Sequence, residues 1–112
     1  HQFLRHVERC KVLVHLIDMS EVLDVEDALA QFHSLNYELQ EFNKDLLDKP
    51  TLVALSKIDA AVEDSLVQDI QLQLEDSCYE VMKISSVSGK GIDRLLDRME
   101  ELLLKEEQKE TF

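Results

Sequence analysis

The stretch Leu52-Val53-Ala54-Leu55-Ser56-Lys57-Ile58-Asp59 decides the fold. It follows the only proline, Pro50, and its apolar half breaks abruptly into a short charged loop. Apolar strands that end in a polar turn and then enter a helix are the unit of open α/β sheets, whose ligands bind just outside the carboxyl ends of the strands. Ser56 to Asp59 is therefore the first place to look for chemistry.

Working outward, Lys11 to Asp18 reads Lys-Val-Leu-Val-His-Leu-Ile-Asp, a near-continuous apolar run that suits a parallel strand covered on both faces. Before it, Phe3, Leu4 and Val7 have helical spacing. Between the two strands, Val25, Ala28, Leu29, Phe32, Leu35, Leu39, Phe42 and Leu46 keep one stripe on a long helix, with Asp24 placed as its cap. Beyond the charged loop, Val62, Leu66, Val67, Ile70 and Leu74 mark a second helix, and Tyr79 to Ile84 a third strand. The polar turn Ser85-Ser86-Val87-Ser88-Gly89-Lys90-Gly91 leads into a last helix with Ile92, Leu95, Leu96, Met99, Leu102 and Leu103 on one side. The run Lys105 to Glu110 is expected to dissolve that helix into charge. Strands and helices alternate without an internal repeat, which predicts a parallel α/β sheet with right-handed crossovers.

A length of 112 residues, 45% of them hydrophobic, suffices for one domain with a real core. No apolar run approaches the ~20 residues of a membrane span, and no signal peptide pattern opens the chain, so we expect a soluble cytoplasmic protein. The net charge of −12 repels a phosphate backbone and argues against direct nucleic-acid binding. Cys10 and Cys78 show no CxxC spacing, and we expect buried or half-buried free thiols rather than a disulfide or a zinc site. The opening His1-Gln2-Phe3-Leu4 lacks methionine and reads as mid-helix, as in a fragment of a longer protein.

Three strand ends line up along one rim: Asp18, Ser56 to Asp59, and Ser85 with Ser86. Two carboxylates, a lysine and several hydroxyls there suit metal-assisted phosphate chemistry or polar recognition of a ligand. Equally, Asp and Ser close strands because they begin turns and cap helices. His1, His6, His15 and His33 fall on different elements without metal-ligand spacing, and His15 reads as a hydrogen-bonded core residue. The pairs Glu100-Glu101 and Glu106-Glu107 point apart on a helix and form a solvated face.

Ser56-Lys57-Ile58-Asp59 resembles the Asn-Lys-x-Asp guanine-recognition motif of the P-loop GTPases, and Ile84-Ser85-Ser86-Val87 resembles the Ser-Ala loop that follows it. The opening Phe3-Leu4-Arg5-His6-Val7-Glu8-Arg9, followed by Val12 to Ser20, resembles the Obg branch, the ribosome-associated GTPases. By this resemblance, covering Phe3 to about Leu104, Asp59 accepts from the ring N–H and exocyclic amine of guanine, and the stem of Lys57 lies along the base. Ser85 braces its loop, and a backbone N–H near Ser86 or Val87 meets the guanine carbonyl. The sequence departs from the family pattern at Ser56, where an asparagine is usual, and at Ser86, where an alanine is usual.

No G-x-x-x-x-G-K-S/T loop is present: Gly89-Lys90 has Ile84 where the first glycine belongs and Gly91 where the hydroxyl belongs. The switch threonine and the Asp-x-x-Gly segment are absent too. The resemblance thus implies, for residues 1–112, the guanine-reading half of a three-layer P-loop NTPase-like domain, with about three parallel strands and flanking helices. It holds no catalytic residue and no metal ligand. The intact parent would bind GTP or GDP with Mg2+, hydrolyse GTP and act in large ribosomal subunit assembly. The competing expectation is a non-enzymatic α/β interaction domain whose nucleotide site has lapsed at Ser56. A receiver- or flavodoxin-like domain fits less well, lacking the extra acidic pair or the phosphate loop these need.

Overall fold

In a computed structural model of the chain, residues 2–58, 63–85 and 87–110 are described. The order of elements is α1 (Gln2–Arg9), β1 (Leu13–Asp18), α2 (Val25–Phe42), β2 (Thr51–Ser56), α3 (Asp64–Asp76), β3 (Glu80–Lys83) and α4 (Ile92–Glu110), with 3-10 turns at Met19–Glu21 and Lys44–Asp48. The strands form one parallel sheet in the order β1-β2-β3. The alternating strand and helix pattern thus gives the expected α/β architecture.

The central strand carries the core. Leu52, Val53, Ala54 and Leu55 all have 0% exposure, because successive side chains point to opposite faces and both faces are covered. Val53 and Leu55 pack with Phe32 of α2 and with Val67, Ile70 and Leu74 of α3. Leu52 and Ala54 pack with Met82, Ile84 and Leu95 beneath α4. The result is three layers, with α2 and α3 on one side of the sheet and α4 on the other. Phe32 is the largest fully buried side chain, stacked on His15 with centroids 4.6 Å apart and edge-on to Tyr79 at 4.8 Å. His15 is accordingly half-buried and held by ring stacking.

Four local expectations are corrected. The stripe ending at Leu46 does not lie on one helix: α2 stops at Phe42, where Asn43 adopts extended backbone and its Oδ1 accepts from the Asp45 N–H at 3.0 Å. That side chain competes with the helical ladder and starts a 3-10 turn, which still buries Leu46. The first strand begins at Leu13 rather than Lys11, where the Leu13 N–H finds the Pro50 carbonyl at 2.9 Å. The charged tail does not end α4, which continues to Glu110 because Lys, Glu and Gln are good helix formers; a Lys109 to Glu106 pair at 3.1 Å lies along it. Cys10 and Cys78 are free but exposed, since Cys10 follows the end of α1 and Cys78 sits in a left-handed turn, φ 71°, after α3.

The expected cap at Asp24 forms, its Oδ1 accepting from the Asp27 N–H at 2.8 Å. At the amino end of the sheet, the Lys49 ammonium donates to the carbonyls of Val7 at 3.2 Å and Glu8 at 2.7 Å, pinning the C-terminus of α1. A cation there also suits the negative end of the helix dipole. An apolar hollow of about 220 Å³ lies beside it, lined by Phe3, Val7, Leu13, Leu39 and Tyr79, remote from the carboxyl ends of the strands.

Candidate functional site: the carboxyl rim of the sheet

Parallel pairing brings the strand ends level. Asp18 lies opposite Ser56, so the last residues of β1 and β2 share one edge. β3 reaches the same edge through the Ile84 N–H, which donates to the Leu55 carbonyl at 2.9 Å, and through Ile84 O, which receives the Ile58 N–H at 3.5 Å. Asp18, Ser56, Lys57 and Ser85 are thereby gathered on one rim, as the alternating pattern implied. Asp59 and Ser86 lie outside the described residues.

Each rim side chain has a defined partner. The Ser56 hydroxyl donates to the Ile17 carbonyl at 3.3 Å, which joins β2 to β1. Lys57 has left-handed backbone, φ 58°, and its ammonium donates to Asp18 Oδ2 at 2.8 Å. The other carboxylate oxygen, Asp18 Oδ1, accepts from the Ser20 N–H at 3.0 Å and the Ser20 hydroxyl at 2.6 Å. The Lys57 contact, and then the Ser20 hydroxyl, hold the Asp18 carboxyl below its ordinary range. Asp18 in turn raises the Lys57 ammonium. The pair is ionised at neutral pH on both sides.

The second loop is built around Ser85, which is buried at 2% exposure. Its hydroxyl accepts from the Ser88 N–H at 3.4 Å, and its N–H donates to the Lys90 carbonyl at 2.9 Å. Ser85 therefore braces the turn from within. Val87 stands outside it at 85% exposure. The turn closes on Gly91, whose φ is 82° and where an added Cβ would lie 2.2 Å from the Lys83 carbonyl oxygen. Gly89-Lys90-Gly91 thus serves a tight return onto β3 and α4.

The rim thus brings a lysine, a carboxylate and two serine hydroxyls to adjoining strand ends. Among the described residues no group of three His, Cys, Asp or Glu side chains is placed to hold a metal ion, and no helix is long and apolar enough to cross a membrane. Asp18, the rim carboxylate that would suit a cation, is committed to Lys57 and Ser20. Sequence reasoning placed Asp18 on this rim without its partner. The partner follows from the observed register, in which a lysine one residue past β2 reaches the end of the neighbouring strand.

No family model matches the chain. Among known proteins it is similar to GTPase Obg of Erythrobacter litoralis, 43% identical over 96 residues, which is 86% of this chain and 26% of that protein. It is 39% identical over 103 residues to GTPase Obg of Sphingopyxis alaskensis, covering 91% of this chain and 28% of the relative. With GTPase Obg of Persephonella marina it shares 34% identity over 112 residues, all of this chain and 33% of the relative. Across most of its own length, and over about a quarter to a third of theirs, this chain is homologous to the Obg-family GTPases.

Proposed function

We propose that the segment is the guanine-recognition half of an Obg-like GTPase domain, with Ser56, Lys57, Asp59, Ser85, Ser86 and Val87 forming the base site. The observation that carries this reading is the convergence of the Lys57 loop and the Ser85 loop at adjoining strand ends in an Obg-homologous chain. Asp59 supplies a charged acceptor to the two donors on the guanine edge, a pair that adenine does not offer. The Lys57 stem supplies an apolar face for the ring. Ser85, buried and bonded to Ser88, holds the loop whose backbone N–H groups near Ser86 and Val87 meet the guanine carbonyl.

In the intact protein this half would serve GTP hydrolysis in large ribosomal subunit assembly, in the cytoplasm. By the resemblance, the phosphate loop and the magnesium ligands would come from the other half of such a domain. Phosphoryl transfer therefore has no step on these side chains, whose part is to bind and orient the base. Titration of the intact protein with labelled GDP, GTP and ADP tests the reading. Preference for both guanine nucleotides by at least ~100-fold over ADP is expected from a site built on paired hydrogen bonds. Equal affinities would favour the interaction-domain alternative.

A further inference from the structure

The base site as proposed uses Lys57 for its apolar stem but leaves open what orders that stem. The Lys57 side chain is 56% exposed. A lysine has four rotatable bonds, and one held by nothing must be immobilised when a ligand arrives. Here it is already held. Asp18 Oδ2 receives the ammonium at 2.8 Å, while Asp18 Oδ1 is fixed by both the N–H and the hydroxyl of Ser20. The clasp spans two adjacent strands, since Asp18 ends β1 and Lys57 follows the end of β2.

Resting on the guanine-recognition reading, we propose that Asp18 is a positioning residue for the base site: clamped by Ser20, its carboxylate presets the Lys57 stem as a face for the purine. An ion pair this exposed contributes little to folding, so its consequence falls on the order of the lysine and not on the stability of the sheet. Because the stem meets the face of the ring and not its edge, the effect is the same for every purine that the site accepts.

The test is Asp18→Asn in the intact GTPase that contains this segment, an amide that can keep the Ser20 bonds and loses the charge. GDP and IDP affinities should fall together, by about two- to tenfold, the range expected for freeing one long side chain. The melting temperature without nucleotide should stay unchanged, and Asp18→Glu should restore part of the affinity. In a Lys57→Met background, which keeps the apolar stem, Asp18→Asn should have no further effect. Unchanged GDP affinity in Asp18→Asn, or an undiminished loss in the Lys57→Met background, overturns the proposal. Tighter binding also overturns it, because Asp18 would then hold Lys57 away from the base. If the unaltered protein fails to prefer GDP over ADP, the recognition reading itself falls; if it prefers GDP and Asp18→Asn binds equally well, only the role of Asp18 falls.

Discussion

The Ser56 hydroxyl donates to the Ile17 carbonyl at 3.3 Å, so the side chain at the usual asparagine position is turned into the sheet. Its one proton is spent on joining β2 to β1, and only its lone pairs remain for the loop or a ligand. Ser56→Ala should therefore lower stability by about 0.5–1.5 kcal/mol, the net value of one such bond. Ser56→Asn, whose amide can donate to Ile17 and still present its oxygen, should bind GDP up to roughly tenfold more tightly. Urea midpoints and GDP titrations of the intact protein check both; weaker binding by the asparagine variant would mean that Ser56 is fitted to its surroundings.

Gly89 and Gly91 make a controlled pair. Both have positive φ, 75° and 82°, but a Cβ at Gly89 meets nothing within 4 Å, whereas one at Gly91 lies 2.2 Å from backbone. Gly89→Ala should cost only the left-handed strain, about 1–2 kcal/mol. Gly91→Ala adds a clash that no side chain can relieve and should cost at least about 1–3 kcal/mol more. Denaturation midpoints of the two variants, compared with each other, isolate the contact from the dihedral.

His15 ties stability to pH. Burial against Phe32 lowers its pKa from 6.5, so the unfolded chain binds the proton more tightly than the folded one. Unfolding then takes up a proton in the window below 6.5, and stability rises with pH there before levelling off above it. Acidification through that window should weaken the fold, and His15→Phe should remove this contribution to the slope. Parallel slopes for the two proteins would show that His15 is not the group responsible.

The edge of the sheet predicts how the segment behaves by itself. β1 pairs on one side only among the described residues, and Leu16, on the same face of the sheet as Val14, is 60% exposed. Unpaired edges of apolar strands template pairing with other chains. The isolated 112-residue segment should self-associate despite its charge of −12, and should bind GDP negligibly. Light scattering over a dilution series, beside a GDP titration, checks this; a stable monomer that binds GDP would contradict it.

The central strand was legible because Leu52 to Leu55 is apolar at every position in a short run between Pro50 and a charged loop, which suits a strand covered on both faces. The break after Phe42 was not, because Leu46 continues the helical stripe while reaching the core from a 3-10 turn. The tail of α4 reads as charge although its residues favour helix. At the rim, the gathering of the strand ends on one side of the sheet was legible from alternation alone. The Lys57 to Asp18 pair and the Ser56 to Ile17 bond were not, because both depend on the register between β1 and β2, which no local pattern encodes.

The central claim, that this rim reads guanine, is tested most directly at Asp59. Asp59→Asn replaces an acceptor with a donor at the position proposed to face the ring N–H and the exocyclic amine. GDP and XDP affinities of the intact protein, measured before and after the substitution, should show preference passing from GDP to XDP, with the affinity ratio changing by ~100-fold or more. An unchanged ratio would remove Asp59 from the base site and contradict the account.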